Sequence, residues 1–191
     1  MTYKLGIFGH PLSHSISPVF QQAALDELKI NASYEAWDVP PSSLVGRIEE
    51  LRNPIYLGAN VTIPHKESSI KLVDELDPLA EKIGSLNTIV NRKGKLFGYN
   101  TDADAFLKAL KLTESFEPTD ANVLIIGAGG AARAAVCSLL EFNISRLVIA
   151  NRTVDRAISL GKYFSSSIEV LAIGMNDSRL TEYARKSSLI I

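Results

Sequence analysis

The sequence predicts an α/β protein with mostly parallel strands, arranged in two domains. Strand-like and helix-like segments alternate along the 191 residues, which is the pattern of repeated β-α-β units. A short apolar run, Val123–Ile126, leads directly into the glycine-rich turn Gly127-Ala128-Gly129-Gly130. Such a turn between a strand and a helix is typical of a doubly wound Rossmann domain. We therefore expect an α/β domain over residues 1–101 and a Rossmann-type domain, entered through a bridging helix, over residues 102–191.

The first domain contains five predicted strands and four predicted helices. Ser17 is expected to cap the first helix, with Pro18 at the first helical position. Phe20, Ala24 and Leu28 of this helix share one apolar face. Lys93-Gly94 predicts the turn of a hairpin. The strands are predicted at Lys4–Gly9, Tyr34–Val39, Tyr56–Thr62, Leu86–Asn91 and Leu96–Gly98, and the helices at Ser17–Leu28, Leu44–Arg52, Lys66–Val73 and Pro78–Ile83.

The second domain begins with a predicted helix and continues as a partial Rossmann sheet. About three complete strands are predicted, and one more begins at Ser187–Ile191, whereas a doubly wound domain has about six. We therefore expect this chain to be an incomplete fragment. The elements are the helix Asp102–Leu110, the connection Glu114–Asp120, the strand Val123–Ile126, the helix Gly130–Phe142 and the strand Arg146–Ala150.

Composition excludes several classes of function. The formal net charge is −1, so no basic field attracts nucleic acid or an anionic membrane. No apolar run approaches the roughly 18 residues of a membrane span, and the strand-like N-terminus does not resemble a signal peptide. Cys137, the single cysteine, excludes an internal disulfide and is expected to be a small buried hydrophobe. These features fit a cytoplasmic protein, and they leave open whether it is a monomer or a homodimer.

Two serines lie in the turn between the first strand and the first helix. Ser15 and Ser17 are two residues apart beside a helix N-terminus, where hydroxyl donors and the helix dipole suit a carboxylate ligand. The local pattern alone favours the simpler alternative, in which Ser17 only caps the helix.

A second polar group follows the third predicted strand. Asn60 and Thr62 alternate along the strand and so project from one face, and Lys66 can reach back over the same edge to a substrate hydroxyl. The alternative for Lys66 is a solvated lysine at a helix start. His65 has no second ligand at metal spacing and is expected to be structural. Asn87 and Asp102 are further polar side chains at element ends, each of which alone is ordinary turn chemistry.

The glycine turn predicts a binding site for the pyrophosphate of a dinucleotide. Gly127 permits the tight turn, Gly129 allows the backbone to approach the phosphates, and Ala132 allows close packing of the helix on the strand. The helix N-terminus directs its N–H groups and its positive dipole end at the anion. The alternative is a glycine-rich turn in some other α/β domain.

The segment after the next strand favours NADP(H) over NAD. Asn151 and Arg152 stand where an NAD site would have an acidic residue, and Arg156 follows about one helical turn later. Arginine pairs with a phosphate and stacks on a purine face. The alternative is two surface arginines at a strand–helix junction.

Six motifs occur in the order seen in shikimate dehydrogenases, and the resemblance covers essentially the whole chain. They are Ser15-x-Ser17, Asn60-Val-Thr62-x-Pro-x-Lys66, Gly84-Ser-Leu-Asn87-Thr, Gly98-Tyr-Asn-Thr-Asp102, Gly127-Ala-Gly-Gly-Ala131 and Asn151-Arg-Thr153. The resemblance implies an N-terminal substrate domain, a C-terminal NADP domain, and the reversible NADPH-dependent reduction of 3-dehydroshikimate to shikimate on the route to chorismate and aromatic amino acids.

The resemblance also implies a role for each motif. Ser15 and Ser17 would hold the substrate carboxylate, and Lys66, paired with Asp102, would be the catalytic acid/base. The substrate hydroxyls would be held by Asn60, Thr62, Asn87 and Asp102. The pyrophosphate would be cradled by Gly127, Ala128, Gly129, Gly130 and Ala131, and the 2′-phosphate and adenine would be held by Asn151, Arg152, Thr153 and Arg156. No metal is expected.

The chain departs from the family at its C-terminus, where members continue through further Rossmann strands and a final helix that returns to the substrate domain. Two alternatives stand beside the NADP-dependent enzyme. A quinate/shikimate dehydrogenase using NAD is disfavoured by Arg152. A non-catalytic ligand sensor is disfavoured by the presence of both Lys66 and Asp102.

Overall fold

The computed structural model describes residues 2–112, 116–165 and 168–191. It divides into two compact units, Met1–Thr101 and Asp102–Ile191. Both units combine helices with a β-sheet, so the chain is an α/β protein. Of the predicted connection Glu114–Asp120, residues 114 and 115 lie outside the described residues.

The first unit has a six-stranded sheet. Its strands are β1 (Tyr3–Gly9), β2 (Ala32–Asp38), β3 (Gly58–Val61), β4 (Glu75–Leu76), β5 (Thr88–Arg92) and β6 (Lys95–Tyr99), and its helices are α1 (Ser17–Glu27), α2 (Leu44–Glu50) and α3 (Pro78–Ile83). Two 3₁₀ segments lie at Pro41–Ser43 and Ser68–Leu72.

The sheet of the first unit is mixed, with the order β2-β1-β3-β5-β6-β4. Strand β1 is parallel to β2 and β3, whereas β5 is antiparallel to both β3 and β6. Three of the sheet's five neighbouring pairs are parallel, so the expectation of mostly parallel strands holds here too. The antiparallel pair β5–β6 is the hairpin predicted at Lys93-Gly94, where both residues have positive φ angles of 57° and 88°, as a tight two-residue hairpin turn requires.

Other expectations for the first unit need correction. Strand β3 spans only Gly58–Val61, so Thr62 lies just beyond its end, and β4 was not predicted from the sequence. Helix α1 begins at Ser17, and its N-cap is Ile16 with no side-chain cap. The predicted apolar face of α1 is exposed, since Phe20 and Leu28 are 53% and 68% accessible while Leu25 is the buried residue.

The second unit has a four-stranded sheet in which every neighbouring pair is parallel. The order is β10-β7-β8-β9, which is the arrangement of a partial Rossmann sheet, and α5 is buried along most of its length. The elements are α4 (Asp102–Leu112), β7 (Asn122–Ile126), α5 (Gly130–Leu139), β8 (Arg146–Asn151), α6 (Val154–Tyr163), β9 (Val170–Gly174), α7 (Leu180–Lys186) and β10 (Leu189–Ile190).

Each unit has its own apolar core. In the first, Phe8, Ile48 and Leu96 are completely buried between the sheet and its helices. In the second, Leu124 and Val148 of neighbouring strands are buried together, and Cys137 on α5 is buried as predicted. Across the described ranges, no helix has the length and apolar character needed to cross a bilayer.

Gly58 at the start of β3 cannot accept a side chain, and this yields a stability prediction. A Cβ atom there would lie 2.2 Å from the Ile89 carbonyl oxygen of β5, and the φ angle is +156°. We expect Gly58→Ala to lower the free energy of unfolding by about 1–3 kcal/mol, because the obstacle is backbone of the paired strand. Urea denaturation of the variant and the parent measures the change.

Gly46→Ala in α2 is the matched control. A Cβ at Gly46 meets nothing within 4 Å, so alanine should raise the free energy of unfolding by about 0.5–1 kcal/mol through its higher helix propensity. Equal and small effects at both glycines would contradict the steric role of Gly58.

Candidate active site

A cleft of about 480 Å³ lies at the edge of the first sheet, between the turn that follows β1 and the segment that follows β3. Ser15, Ser17 and Thr62 line it together with His10 and His14. Strands β1 and β3 are parallel neighbours, so the segments that follow them meet at one edge of the sheet. This is the edge where open α/β sheets bind their ligands. The structure thus brings together three of the residues that the sequence predicted for the substrate.

The two serines are joined to each other at the start of α1. The Ser15 hydroxyl oxygen accepts a hydrogen bond of 3.4 Å from the Ser17 backbone N–H. The simple capping role considered for Ser17 is wrong, because Ile16 is the N-cap and no side chain caps the helix. Ser17 is half-buried and lines the cleft, and its role in ligand binding stays a prediction.

Asp38, which was not predicted as a site residue, anchors the turn that carries Ser15 and Ser17. One oxygen of its carboxylate accepts a 3.1 Å hydrogen bond from the Leu12 backbone N–H and lies 3.1 Å from His10 Nδ1. The Leu12 carbonyl in turn accepts from the Ser15 N–H at 3.2 Å. The turn that carries the serines is therefore fixed to the end of β2. Asp38 is the last residue of that strand, and a polar residue at a strand end was the signal in the sequence.

Asn60 and Asn87 are held on one network of hydrogen bonds, and Thr88 connects them. Asn60 pairs with Thr88 across β3 and β5, and its Nδ2 donates to Thr88 Oγ1 at 3.2 Å and to the Asn87 carbonyl at 3.4 Å. The Thr88 hydroxyl donates to Asn87 Oδ1 at 3.0 Å. Thr101 completes the network, since its N–H donates to Asn87 Oδ1 at 2.9 Å and its hydroxyl accepts from Asn87 Nδ2 at 2.8 Å.

Tyr34 is hydrogen-bonded to this network at Asn60. Its hydroxyl donates to Asn60 Oδ1 at 2.6 Å, and the side chain is only 9% accessible. Burial raises the pKa of the Tyr34 phenol to about 12, because the phenolate would lose its hydration. Nothing in the sequence marked Tyr34, since a tyrosine in a strand is common.

Lys66 and His65 follow the cleft segment and have different surroundings. The Lys66 carbonyl accepts from the Leu86 N–H at 2.9 Å, so its backbone lies beside the residue that precedes Asn87, and Lys66 itself is half-buried. His65 is 1% accessible and its Nε2–H donates to the Val39 carbonyl at 2.6 Å. The structural role predicted for His65 is confirmed.

Asp102 belongs to the second unit as the first residue of α4. It follows Thr101 directly in the chain, and Thr101 is bonded to Asn87 in the first unit. Its pairing with Lys66 stays a prediction.

In the second unit, the glycine turn has the local geometry of a pyrophosphate cradle. Gly127 has a φ angle of +133°, which favours glycine, and its N–H donates to the Ala150 carbonyl at 2.8 Å. Gly129 has no unusual φ angle, with φ at −102°, and a Cβ there would meet nothing within 4 Å. Among the described residues, no contact therefore requires glycine at 129, whereas a phosphate approaching the backbone would.

The other residues of the glycine turn also fit the binding of a pyrophosphate. Gly129 is the N-cap of α5, which has no side-chain cap. Ala128 and Ala132 are buried, whereas Ala131 is exposed and Gly130 is half-buried beside it. The residues present therefore fit a dinucleotide whose phosphates lie at the start of α5.

The segment that follows β8 lies beside this turn. Ile126 and Ala150 pair at the ends of the parallel strands β7 and β8, so the glycine turn and the residues after Asn151 share one edge. Asn151 Nδ2 donates to the Thr153 carbonyl at 2.8 Å, and this bond shapes the entry to α6. Arg152, Thr153 and Arg156 are exposed, as side chains that contact a bound phosphate and purine need to be. Within the described part of the chain, no group of three or more His, Cys, Asp or Glu residues is arranged to hold a metal.

Two family models match the chain. Residues 7–89 match the shikimate dehydrogenase substrate binding domain, and residues 108–191 match the shikimate / quinate 5-dehydrogenase family. The shikimate dehydrogenase (NADP(+)) of Methanopyrus kandleri is 42% identical over 192 residues, which is 100% of this chain and 66% of the relative. That of Bacillus cereus strain AH187 is 38% identical and covers 100% of this chain and 68% of the relative. The chain thus spans about two thirds of the length of these relatives.

Solved structures agree with this match. A Thermus thermophilus shikimate 5-dehydrogenase in complex with NADP(H) and shikimate has a TM-score of 0.81 at 36% identity, over 99% of this chain and 67% of that one. The shikimate dehydrogenase of Aquifex aeolicus has a TM-score of 0.86 at 36% identity with the same coverage.

The raised pKa of Tyr34 predicts a loss of stability in alkaline solution. The unfolded phenol ionises near its ordinary pKa of 10.0, whereas the folded phenol keeps its proton to about pH 12. Between about pH 10 and pH 12 the unfolded state therefore binds fewer protons, and the free energy of unfolding should fall by about 2–3 kcal/mol from this group. Tyr34→Phe has no phenol to ionise, so its free energy of unfolding should fall less than that of the parent over this pH range. Urea denaturation at several pH values measures both. The same alkaline loss in Tyr34→Phe would assign the effect to another group.

Proposed function

The chain belongs to the shikimate dehydrogenase family, and we propose that the protein containing it reduces 3-dehydroshikimate reversibly to shikimate with NADPH. The observation that carries this proposal is the position of the predicted site residues. In the first unit Ser15, Ser17 and Thr62 come after the parallel strands β1 and β3. In the second unit the glycine turn and Arg152 come after the parallel strands β7 and β8, and the relatives of the chain are named shikimate dehydrogenases. A cytoplasmic location stays a prediction from the sequence. The test is NADPH oxidation in the presence of 3-dehydroshikimate, measured on the complete protein to which residues 1–191 belong.

The first unit would bind the substrate. Ser15 and Ser17 line the cleft beside the start of α1, where their hydroxyls would donate to the substrate carboxylate and the helix dipole would add to the attraction. Thr62 lines the same cleft and would contact a ring hydroxyl. Asn60 and Asn87, joined by Thr88, would orient the remaining hydroxyls.

The second unit would bind the cofactor. The turn from Gly127 to Ala131 would receive the pyrophosphate at the N-terminus of α5. Arg152, with Asn151, Thr153 and Arg156, would hold the 2′-phosphate and the adenine, since a guanidinium pairs a phosphate with two donors and stacks on a purine face. When bound, NADPH supplies the hydride that adds to the ketone carbon.

Lys66 would supply the proton. Reduction of the ketone leaves an alcohol, so one proton must reach the substrate oxygen for each hydride that reaches the carbon. The lysine ammonium carries such a proton and stabilises negative charge on that oxygen. Asp102 would hold the ammonium in position. The reverse reaction returns the proton to Lys66 by the same route.

Arg152→Ala tests the cofactor assignment. Only NADPH has the 2′-phosphate, so the variant should bind NADPH roughly 10- to 100-fold more weakly, which corresponds to a lost charge-assisted hydrogen bond. The affinity for NADH should change little. Fluorescence titration with both cofactors measures the difference.

Arg146→Ala is the matched control for the cofactor test. Arg146 is exposed and begins β8, so it carries the same charge at the opposite end of the same strand and should leave both affinities unchanged. Equal losses for NADPH and NADH in Arg152→Ala would refute the assignment to the 2′-phosphate.

Lys66→Met tests the proton donor while keeping much of the side-chain bulk. We expect kcat to fall by about 10²–10⁴, which is the usual contribution of a general acid or base. Shikimate affinity should change much less, because the groups proposed to hold the carboxylate and the hydroxyls remain. Steady-state kinetics and calorimetric titration with shikimate measure the two quantities.

Lys71→Met is the control for Lys66. Lys71 is exposed in the 3₁₀ segment Ser68–Leu72, so its loss removes an equal charge nearby and should leave kcat unchanged. If kcat in Lys66→Met stays within a few-fold of the parent while KM rises sharply, Lys66 binds the substrate and the proton comes from another group, with Asp102 the next to test.

A further inference from the structure

Thr88 connects two side chains that the proposed function assigns to the substrate. Its hydroxyl accepts from Asn60 Nδ2 at 3.2 Å and donates to Asn87 Oδ1 at 3.0 Å. A hydroxyl group has one proton, so it serves as donor to one partner and acceptor to the other. Thr88 therefore gives the network a direction, from Asn60 to Asn87.

Two backbone groups fix this direction at its ends. The Asn87 carbonyl lies 3.4 Å from Asn60 Nδ2 and can only accept, so the Asn60 amide must turn its nitrogen toward β5. The Thr101 N–H lies 2.9 Å from Asn87 Oδ1 and can only donate, so the Asn87 amide must turn its oxygen toward Thr101. With either amide reversed, two donors or two acceptors would face each other.

Tyr34 supplies the third constraint. Its phenol donates to Asn60 Oδ1 at 2.6 Å from a site that is 9% accessible. The phenol bonds the oxygen of the amide while Thr88 and the Asn87 carbonyl bond its nitrogen, so Asn60 is held on both sides. Both N–H groups of Asn60 then have partners inside the protein, and the amide offers a ligand only the remaining lone pair of Oδ1.

We propose that Thr88 and Tyr34 are positioning residues, which orient the amides of Asn60 and Asn87 so that Asn60 presents an acceptor to a hydroxyl of the ligand. This inference rests on the proposed function for the identity of the ligand. Neither residue needs to touch the substrate, since each acts through the asparagine that it holds. The matching ligand group is a hydroxyl that donates; an ether or carbonyl oxygen at that position would face the Asn60 oxygen with no hydrogen between them.

The test compares Thr88→Val with Thr88→Ser. Valine nearly preserves the shape of threonine and removes the hydroxyl, whereas serine keeps the hydroxyl and removes the methyl group. We expect Thr88→Val to weaken shikimate binding and raise KM by roughly 3- to 10-fold, the range for one lost neutral hydrogen bond, with kcat within about twofold of the parent. In Thr88→Ser, the shikimate affinity and KM should both stay within about twofold of the parent. Calorimetry and steady-state kinetics on the complete protein supply these numbers.

Tyr34→Phe and Tyr56→Phe form a second matched pair. Tyr34→Phe should weaken shikimate binding by a similar factor, because Asn60 loses the donor that holds its oxygen. Tyr56 is a tyrosine of the same unit whose ring packs edge-on against Trp37 at a centroid distance of 5.8 Å, and it makes none of the hydrogen bonds described for the network. Tyr56→Phe should leave binding unchanged. The side-chain amide resonances of Asn60 and Asn87, recorded without ligand, should shift in Thr88→Val and Tyr34→Phe and stay in place in Tyr56→Phe.

The outcomes separate this inference from the proposed function. A parent protein that binds shikimate, together with a Thr88→Val variant that binds it equally well, overturns the inference alone. Equal losses in Thr88→Val and Thr88→Ser also overturn it, because the hydroxyl would then not be the group that matters. A parent protein that neither binds shikimate nor reduces 3-dehydroshikimate overturns the proposed function and the ligand assignment with it, whatever the amide resonances show.

Discussion

The antiparallel pairing of β3 with β5 is the constraint on which the candidate substrate site depends. It places Asn60 opposite Thr88, and so brings two asparagines that are distant in sequence onto one hydrogen-bond network. A one-residue slip would turn every side chain of the strand to the other face. Gly58 helps to fix this register, because β5 approaches it too closely for any side chain.

Both sheets use the same physical principle to concentrate polar groups. The ends of parallel strands expose loop backbone and helix N-termini on one side of a sheet, while the strand interiors remain apolar. In the first unit the segments after β1 and β3 form the cleft with Ser15 and Thr62, and Asp38 at the end of β2 holds the serine turn. In the second unit the glycine turn follows β7 and Arg152 follows β8.

Much of this arrangement could be predicted from the sequence because local patterns carry it. The turn residues Lys93 and Gly94 and the apolar run before Gly127 each determine the structure of their own short segment. Family membership and the α/β fold were predicted and are confirmed. The site roles of individual residues stay proposals.

What the sequence did not reveal depends on contacts between distant residues. The start of α1 was misjudged because serine before proline is a common cap, and only the structure shows Ile16 in that position. The exposure of the apolar face of α1 could not be predicted, because helical periodicity gives a stripe without saying which neighbour covers it. Asp38 and Tyr34 act across 26 residues of chain, and no local pattern encodes a partner at that separation.

On the proposed function, the direction of the network would also distinguish the reacting oxygen of the substrate from its other oxygens. The reacting oxygen is a hydroxyl in the alcohol and a carbonyl in the ketone, so its partner must be able to donate in one state and accept in the other. Asn60 presents only an acceptor, since its two N–H groups already have partners. It is therefore suited to a hydroxyl that stays a hydroxyl throughout the reaction and would bind substrate and product equally well. An ammonium such as that of Lys66 donates to a carbonyl and, once deprotonated, accepts from a hydroxyl. The chemistry of the two side chains thus agrees with the proposed roles, binding for Asn60 and proton transfer for Lys66.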